Sequence, residues 1–348
     1  MDAHSFDNIE ERASLKSFLH RQLFKTPLLP QDVNLEGKTA IVTGSNTGIG
    51  LECARQLLDL GLSKLIIAVR DSSKGDKARE ELLSGRAFSS HLSLEVWDLD
   101  LQCYESVVAF VDRARGLDRI DIVVLNAGVS KQFFDLTSST GHEETIQVNV
   151  LSTALLAILI LPILKSKNAI EQPARLVMVS SDTASWAHFR ERSYTPLLPP
   201  LDKPETFTIT DRYATSKLLG QLFVTELAER VPSSVAIITM PNPGWCYGTG
   251  LGHVPGGTWG ERVVSVPRRI LGRHPTIGAR VITDAPVRHG AEAHGQYLED
   301  CEIQPHWDRM APLVYTAEGE RLRGILWKEI MDELWFANVE NIVEELGR

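Results

Sequence analysis

Basic charge is scarce in this chain of 348 residues. Thirty-six lysines and arginines stand against 45 aspartates and glutamates, a formal net charge of −9. A surface of that sign repels phosphate backbones, which speaks against nucleic acid as a partner. Cysteine is scarce as well. Cys53, Cys103, Cys246 and Cys301 are scattered without metal-ligand spacing, so no metal site is expected. Four cysteines could pair, but a reduced, cytoplasmic setting suits them better. The opening MDAHSFDNIEE carries acidic residues where a secretory leader would be basic, and no apolar core follows it. Long apolar runs are also missing. The longest, Ala154 to Leu164, is broken by Pro162 and falls short of the roughly 20 residues that span a bilayer. It reads as a core or interface helix.

What the chain does have is TAIVTGSNTGIG, Thr39 to Gly50. Thr39 to Val42 form a short β-branched run that suits a buried parallel strand. Gly44, Gly48 and Gly50 follow, with Ser45, Asn46, Thr47 and Ile49 between them. Leu51, Ala54, Leu57 and Leu58 then recur at helical spacing. Strand, glycine turn and helix together make an anion site, because the backbone can approach a pyrophosphate and the free N–H groups of the helix point at it. The bland alternative is a glycine turn with no ligand.

Further strands are expected at Lys64–Val69, Leu92–Trp97, Asp121–Leu125, Ala174–Ser180 and Val235–Met240, with a final one at 296–298. The order of elements argues for one domain, with additions at 1–36 and 301–348 around a body at 37–300. Arg70 ends the second strand, where a ribose would lie. A guanidinium there suits a 2′-phosphate, so NADP(H) is favoured over NAD(H). Neighbouring Asp71 could reverse that preference. Asp98 and Asp100 follow the third strand, within reach of an adenine, and Asn126-Ala127-Gly128 follow the fourth.

Before the body, Ile9, Ala13, Phe18, Leu19, Leu23 and Phe24 make an apolar helical stripe. It either packs on its own domain or lies on a membrane surface with Lys16, His20, Arg21 and Lys25 outward. Residues 182–210 carry four prolines and read as a long connection. Its Trp186, His188, Phe189 and Tyr194 either line an apolar pocket or anchor the loop. Tyr213 and Lys217 are four apart and share one helical face. An ammonium there brings a phenol toward its working range as a proton shuttle, although Tyr-x-x-x-Lys alone is a common accident. After the sixth strand, Pro243-Gly244 turns the chain, and Trp245, Tyr247 and Thr249 could border a nicotinamide ring and a substrate. Glu318 to Phe336 reads as an amphipathic helix with Leu322, Ile325, Leu326, Ile330, Leu334 and Trp335 inward.

In this order TGSNTGIG, NAG, Asn149, Ser180-Ser181, Tyr213-x-x-x-Lys217 and Pro243-Gly244 resemble the short-chain dehydrogenase/reductase superfamily, from about Gly37 to Leu251. The segments AVRDSSKGDKA, QLFKTP and HGQYLEDCEI resemble its retinol-dehydrogenase-like, fungal-type members, many of which reduce carbonyls in secondary metabolism. The resemblance implies an α/β, doubly wound Rossmann sheet of seven parallel strands with helices on both faces. It also implies a tetrad: Tyr213 as general acid/base, Lys217 lowering its pKa and holding the nicotinamide ribose, Ser181 on the substrate oxygen and Asn149 ordering a water relay. Asp100 and Leu101 would take the adenine, Pro243, Gly244 and Thr249 the carboxamide region, with Gly248 the alternative to Thr249. Trp186 and Trp245 join Ser181 as substrate contacts. Pairing of two copies along the Asn149–Leu164 and Tyr213 helices would give a homodimer, unless the added ends block it. The expected activity is an NADP(H)-dependent interconversion of a ketone or aldehyde and an alcohol on a small apolar molecule. A same-fold isomerase, dehydratase or cyclase, or a non-catalytic nucleotide binder, is the alternative.

Overall fold

The computed structural model describes residues 13–86, 92–248, 271–304 and 311–348. The β-branched runs form β1 (Thr39–Thr43), β2 (Lys64–Val69), β3 (Ser93–Asp98), β4 (Ile122–Leu125), β5 (Ala174–Met178), β6 (Ala236–Asn242) and β7 (Gln296–Glu299). All seven pair in parallel. A two-residue β8 (Glu302–Ile303) then folds back antiparallel on β7, giving the order β3-β2-β1-β4-β5-β6-β7-β8. The sheet therefore has eight strands rather than seven. Asp300 and Cys301, both with positive φ, make the tight turn between the last two, so the sheet runs past residue 300. β1 and β4 are neighbours although two strands separate them in sequence. Their C-terminal ends open the crevice at which the winding reverses, the usual ligand position in such sheets.

Helices cover both faces. On one lie α2 (Gly48–Asp59), α3 (Ser72–Leu83) and α7 (Pro275–Arg288); on the other lie α4 (Tyr104–Ala114), α5 (Glu144–Lys167) and α6 (Ile209–Arg230). α1 (Leu15–Phe24) precedes the sheet, and α8 (Ala317–Glu333) and α9 (Val339–Gly347) end the chain. α4 has no counterpart in the sequence reading. α5 is, among the described residues, the one helix long and apolar enough to cross a membrane, yet 94% of that stretch is buried in the fold. Leu155, Leu156, Ile158 and Ile160 are almost wholly enclosed, each contributing about 1.5–3 kcal/mol of burial. It is a core helix.

α8 and α9 pack over α5 and α6, where Leu322, Leu326, Ile330, Val339 and Val343 join the same core as Leu155 and Phe223. The chain's own helices thus cover part of the face along which two copies were expected to pair. Trp335, expected inward, is 77% exposed because α8 ends at Glu333 and the chain turns before α9.

Residues 182–210 are not a structureless connection. They fold into short 3-10 turns at Asp182–Trp186, Arg190–Ser193 and Pro204–Thr206 and one α turn at Leu198–Leu201. Phe189, Leu197 and Leu201 are completely buried, and Glu329 of α8 accepts hydrogen bonds from the N–H groups of Leu197 and Leu198 at 2.7 and 2.8 Å. Phe189 is therefore an anchor, whereas Tyr194 is 54% exposed. The enclosed Arg212 adds a polar tie, reaching Glu191 at 3.1 Å and Thr206 at 3.1 Å.

Candidate active site

The glycine turn after β1 fits against the loop after β4. Gly44 has φ +64°, and a Cβ there would lie 2.8 Å from Ala127 Cα, so only glycine lets the two loops approach. Asn126 stitches them together: its side chain donates to Thr43 O at 2.9 Å and Gly44 O at 3.2 Å. Thr43 Oγ1 accepts from the N–H groups of Asn126 and Ala127 at 3.0 Å each. Ser45 points inward, donating to Val42 O at 2.7 Å. These residues build the cradle from behind. Its open side is formed by half-buried Asn46, Gly48 and Ile49 and exposed Thr47, while Gly50 is buried behind them against Gly44 and Asn126. Thr47 makes no side-chain cap, and no acidic residue lies in the first turn of α2. The helix N-terminus thus keeps donors and positive dipole for an anion, and the cradle fits a dinucleotide pyrophosphate.

At the tip of β2, Arg70 is exposed. Asp71 is committed elsewhere, capping α3 by accepting from Lys74 N at 3.1 Å and pairing with Lys74 Nζ at 3.6 Å. That cap holds its carboxyl below the usual range. Asp98 is exposed at the end of β3. Asp100 turns back on its own loop, where its carboxylate accepts from Gln102 N at 2.9 Å and its N–H donates to Ser106 at 2.9 Å. Leu101 is buried in the core.

The four tetrad positions converge at the C-terminal ends of β4 and β5. Asn149 lies in a π-helical stretch of α5, Gln147–Ser152, an irregularity that tends to mark functional sites. Its amide exchanges two hydrogen bonds with Val129, both at 2.9 Å, and donates to Ser216 at 3.0 Å. Gly128 lies against the same amide. Ser180 and Ser181 face opposite ways. Ser180 accepts from Gln221 at 3.1 Å and is buried. Ser181 accepts from Thr183 at 3.0 Å and is in hydrogen-bonding reach of the Tyr213 phenol. Lys217 donates to Val179 O at 2.9 Å with its ammonium 5.8 Å from the Tyr213 ring centre.

Burial pushes the Tyr213 phenol up to about 12, against the opposing bond from Ser181. Burial likewise lowers Lys217 to about 8. Behind these groups lies an inner cavity of about 30 Å³, lined by Asn149, Ser180, Ser216 and Lys217 among others. That is enough for an ordered water with several polar partners.

The wall beyond Ser181 comes from distant places. Trp186 Nε1 donates to Ala13 O at 2.7 Å, and its ring meets Phe18 edge-on at 5.1 Å. Asp182 pairs with Arg21 at 3.5 Å, and Arg21 also meets Glu299 at 3.1 Å. Burial, with the nearby Asp182 carboxylate, pushes Glu299 up. Pro243 is buried, Gly244 has φ +73° and Trp245 is 38% exposed. Gly248 is exposed, and Thr249 lies outside the described residues. The helical stripe expected before the body is only partly what packs. Phe18 and Gln22 are buried, Leu23 and Phe24 are 48% and 74% exposed, and Ile9 lies outside the described residues. No motif or local spacing points to Gln22, Arg273 or Glu299.

A reversed-winding sheet with a phosphate cradle at its crevice, and a hydroxyl, a phenol and an amine gathered beyond it, defines a class of dinucleotide-dependent oxidoreductases. Residues 38–195 match the short chain dehydrogenase family. The chain is 47% identical over 345 residues to the short-chain dehydrogenase fogG of Aspergillus ruber, covering 97% of each. It is 39% identical to the short chain dehydrogenase virL of Hypocrea virens, covering 98% of each. The chain belongs to the short-chain dehydrogenase/reductase family. Among solved structures, a short chain dehydrogenase of Escherichia coli CFT073 complexed with NADPH has the same fold. The TM-score is 0.55 at 20% identity, over 79% of this chain and 100% of that one. An uncharacterized protein of Mycobacterium paratuberculosis gives a TM-score of 0.61 at 23% identity, over 88% and 97%.

Proposed function

We propose that the protein is an NADP(H)-dependent reductase of ketones or aldehydes, or the reverse alcohol dehydrogenase, acting on an apolar small molecule of the kind met in secondary metabolism. The observation that carries this reading is the Ser181–Tyr213 pair with Lys217 one helical turn along. The preference for the phosphorylated cofactor is supported by Arg70 at the strand tip and by Asp71 being spent on a helix cap.

When bound, the cofactor supplies a hydride to the carbonyl carbon. Ser181 and Tyr213 donate hydrogen bonds to the carbonyl oxygen, where negative charge develops in the transition state. The phenol of Tyr213 then passes its proton to that oxygen, and a phenol held up to about 12 by burial is still protonated at neutral pH and ready to give it. The Lys217 ammonium stabilises the phenolate left behind. The cavity beside Asn149 and Lys217 has room for a water that would restore the proton. Trp186 and Trp245 offer apolar surface at the mouth.

The test is incubation with NADPH and a panel of polyketide and terpenoid ketones, read by mass spectrometry for a gain of two hydrogens and by NADPH absorbance. Tyr213→Phe is expected to lower turnover by about 100-fold or more with NADPH affinity kept. A fully active variant would remove Tyr213 from the chemistry, and product without NADPH consumption would point to an isomerase, dehydratase or cyclase.

A further inference from the structure

The helix before the sheet is built into the cleft. Gln22 of α1 is 7% exposed and spends both ends of its amide on the backbone of a single residue. Its Nε2 donates to Trp245 O at 2.7 Å, and Trp245 N donates to its Oε1 at 3.2 Å. This is the exchange that two neighbouring strands make, supplied here by a side chain 223 positions away. The fit is close enough that a Cβ on Gly244 would stand 2.8 Å from Gln22 Oε1.

Arg273 reinforces the joint. Its Nη2 donates to the carbonyls of Arg21 and Lys25 at the end of α1, at 3.1 Å each, and to Asp300 at 2.6 Å. Its Nη1 reaches Pro243 O at 3.4 Å. On the other flank, Arg21 meets Asp182, the residue after Ser181, and Phe18 meets Trp186. One helix therefore grips both the segment that carries Ser181, after β5, and the turn Pro243–Trp245, after the neighbouring β6.

We infer that α1 is a brace fixing these two segments relative to one another, and that Gln22 is a positioning residue that holds the Pro243–Trp245 turn against the pyridine end of the cofactor. This rests on the reading of the cleft as a nicotinamide site. The adenosine end lies by β2 and β3, far from this joint, so the brace acts on one half of the ligand. Loss of the Gln22 amide frees Trp245 N–H and C=O to water and lets the turn relax, while the glycine cradle and Arg70 are untouched.

The difference between the two halves gives the test. Calorimetric titration of the full chain uses NADPH and, separately, adenosine 2′,5′-bisphosphate, which has no pyridine ring. Gln22→Met keeps the length and packing of the side chain and removes both hydrogen bonds. Gln22→Glu keeps an acceptor for Trp245 N–H and removes the donor, which covers the case in which the first variant folds poorly. Each is expected to weaken NADPH about tenfold, the size of one or two lost hydrogen bonds, and to leave the bisphosphate affinity unchanged. Phe24→Ser, on the exposed side of α1, is expected to change neither. Unchanged NADPH affinity in both Gln22 variants, or an equal loss for both ligands, would overturn the inference. A wild-type chain that binds neither ligand would overturn the cofactor reading itself, a result plainly different from a selective loss.

Discussion

Lys217 holds its ammonium 5.8 Å from the centre of the Tyr213 ring, and burial moves the two groups in opposite senses, the amine down to about 8 and the phenol up to about 12. The amine is thus the group that changes charge nearest to neutral pH. It is an ammonium below about 8 and a neutral amine above, and only the ammonium stabilises a phenolate. The kcat/KM for NADPH, which reports ionisations of the cofactor-free protein, is expected to hold through neutral pH and fall above about 8. Lys217→Arg, charged at every accessible pH, should lose the descending limb even if its rate is lower. A flat wild-type profile well past pH 8 would show that the charge of Lys217 does not matter.

Arg70 is expected to separate the two nicotinamide cofactors. A guanidinium bonded to a 2′-phosphate contributes about 1.5–3 kcal/mol, so Arg70→Ala should weaken NADPH roughly ten- to 100-fold and leave NADH almost unchanged. Arg70→Glu should favour NADH outright. Equal losses for both, measured by fluorescence titration, would mean that the arginine does not reach the 2′ position.

A third expectation concerns stability and pH. His142 joins Asp202 at 2.8 Å and Glu333 at 3.2 Å, tying the segment after Ser181 to α8. Burial alone would lower its pKa, but the two carboxylates outweigh it and raise it from 6.5 to about 9. A raised folded pKa stabilises the protein fully below about 6.5, and the benefit is lost as pH rises through about 9. The stability gap between wild type and His142→Gln should therefore be largest near pH 6 and shrink by about 3 kcal/mol at most by pH 10. Urea unfolding at both pH values measures it. The comparison between variants cancels Lys217, whose lowered pKa acts in the opposite sense over part of the same range. A constant gap would mean that the histidine does not ionise in this setting.

Local patterns carried most of the fold. β2 at Lys64–Val69 could be read from six residues alone, because a strand buried on both faces has no polar alternation to confuse it. The glycine cradle was legible for the same reason, being one contiguous stretch. Gln22 was not, since a glutamine on an amphipathic helix reads as outer surface, and its burial follows from a partner 223 positions away. Residues 182–210 misled in the same way. Their prolines break every local period, and what orders them is Glu329 and Arg212, supplied from other helices. α4 was readable in principle, with Val107, Phe110, Val111 and Ala114 at helical spacing and all buried. Trp335 was misplaced because nothing in the heptad-like pattern signals that α8 stops two residues earlier.

The closing segment of the chain, from Ala317 to Gly347, occupies the apolar sides of α5 and α6 much as a second subunit would. A molecule that carries its own cover gains the enclosure that association would give, without depending on concentration. A mutation at that seam therefore acts on contacts made within one polypeptide.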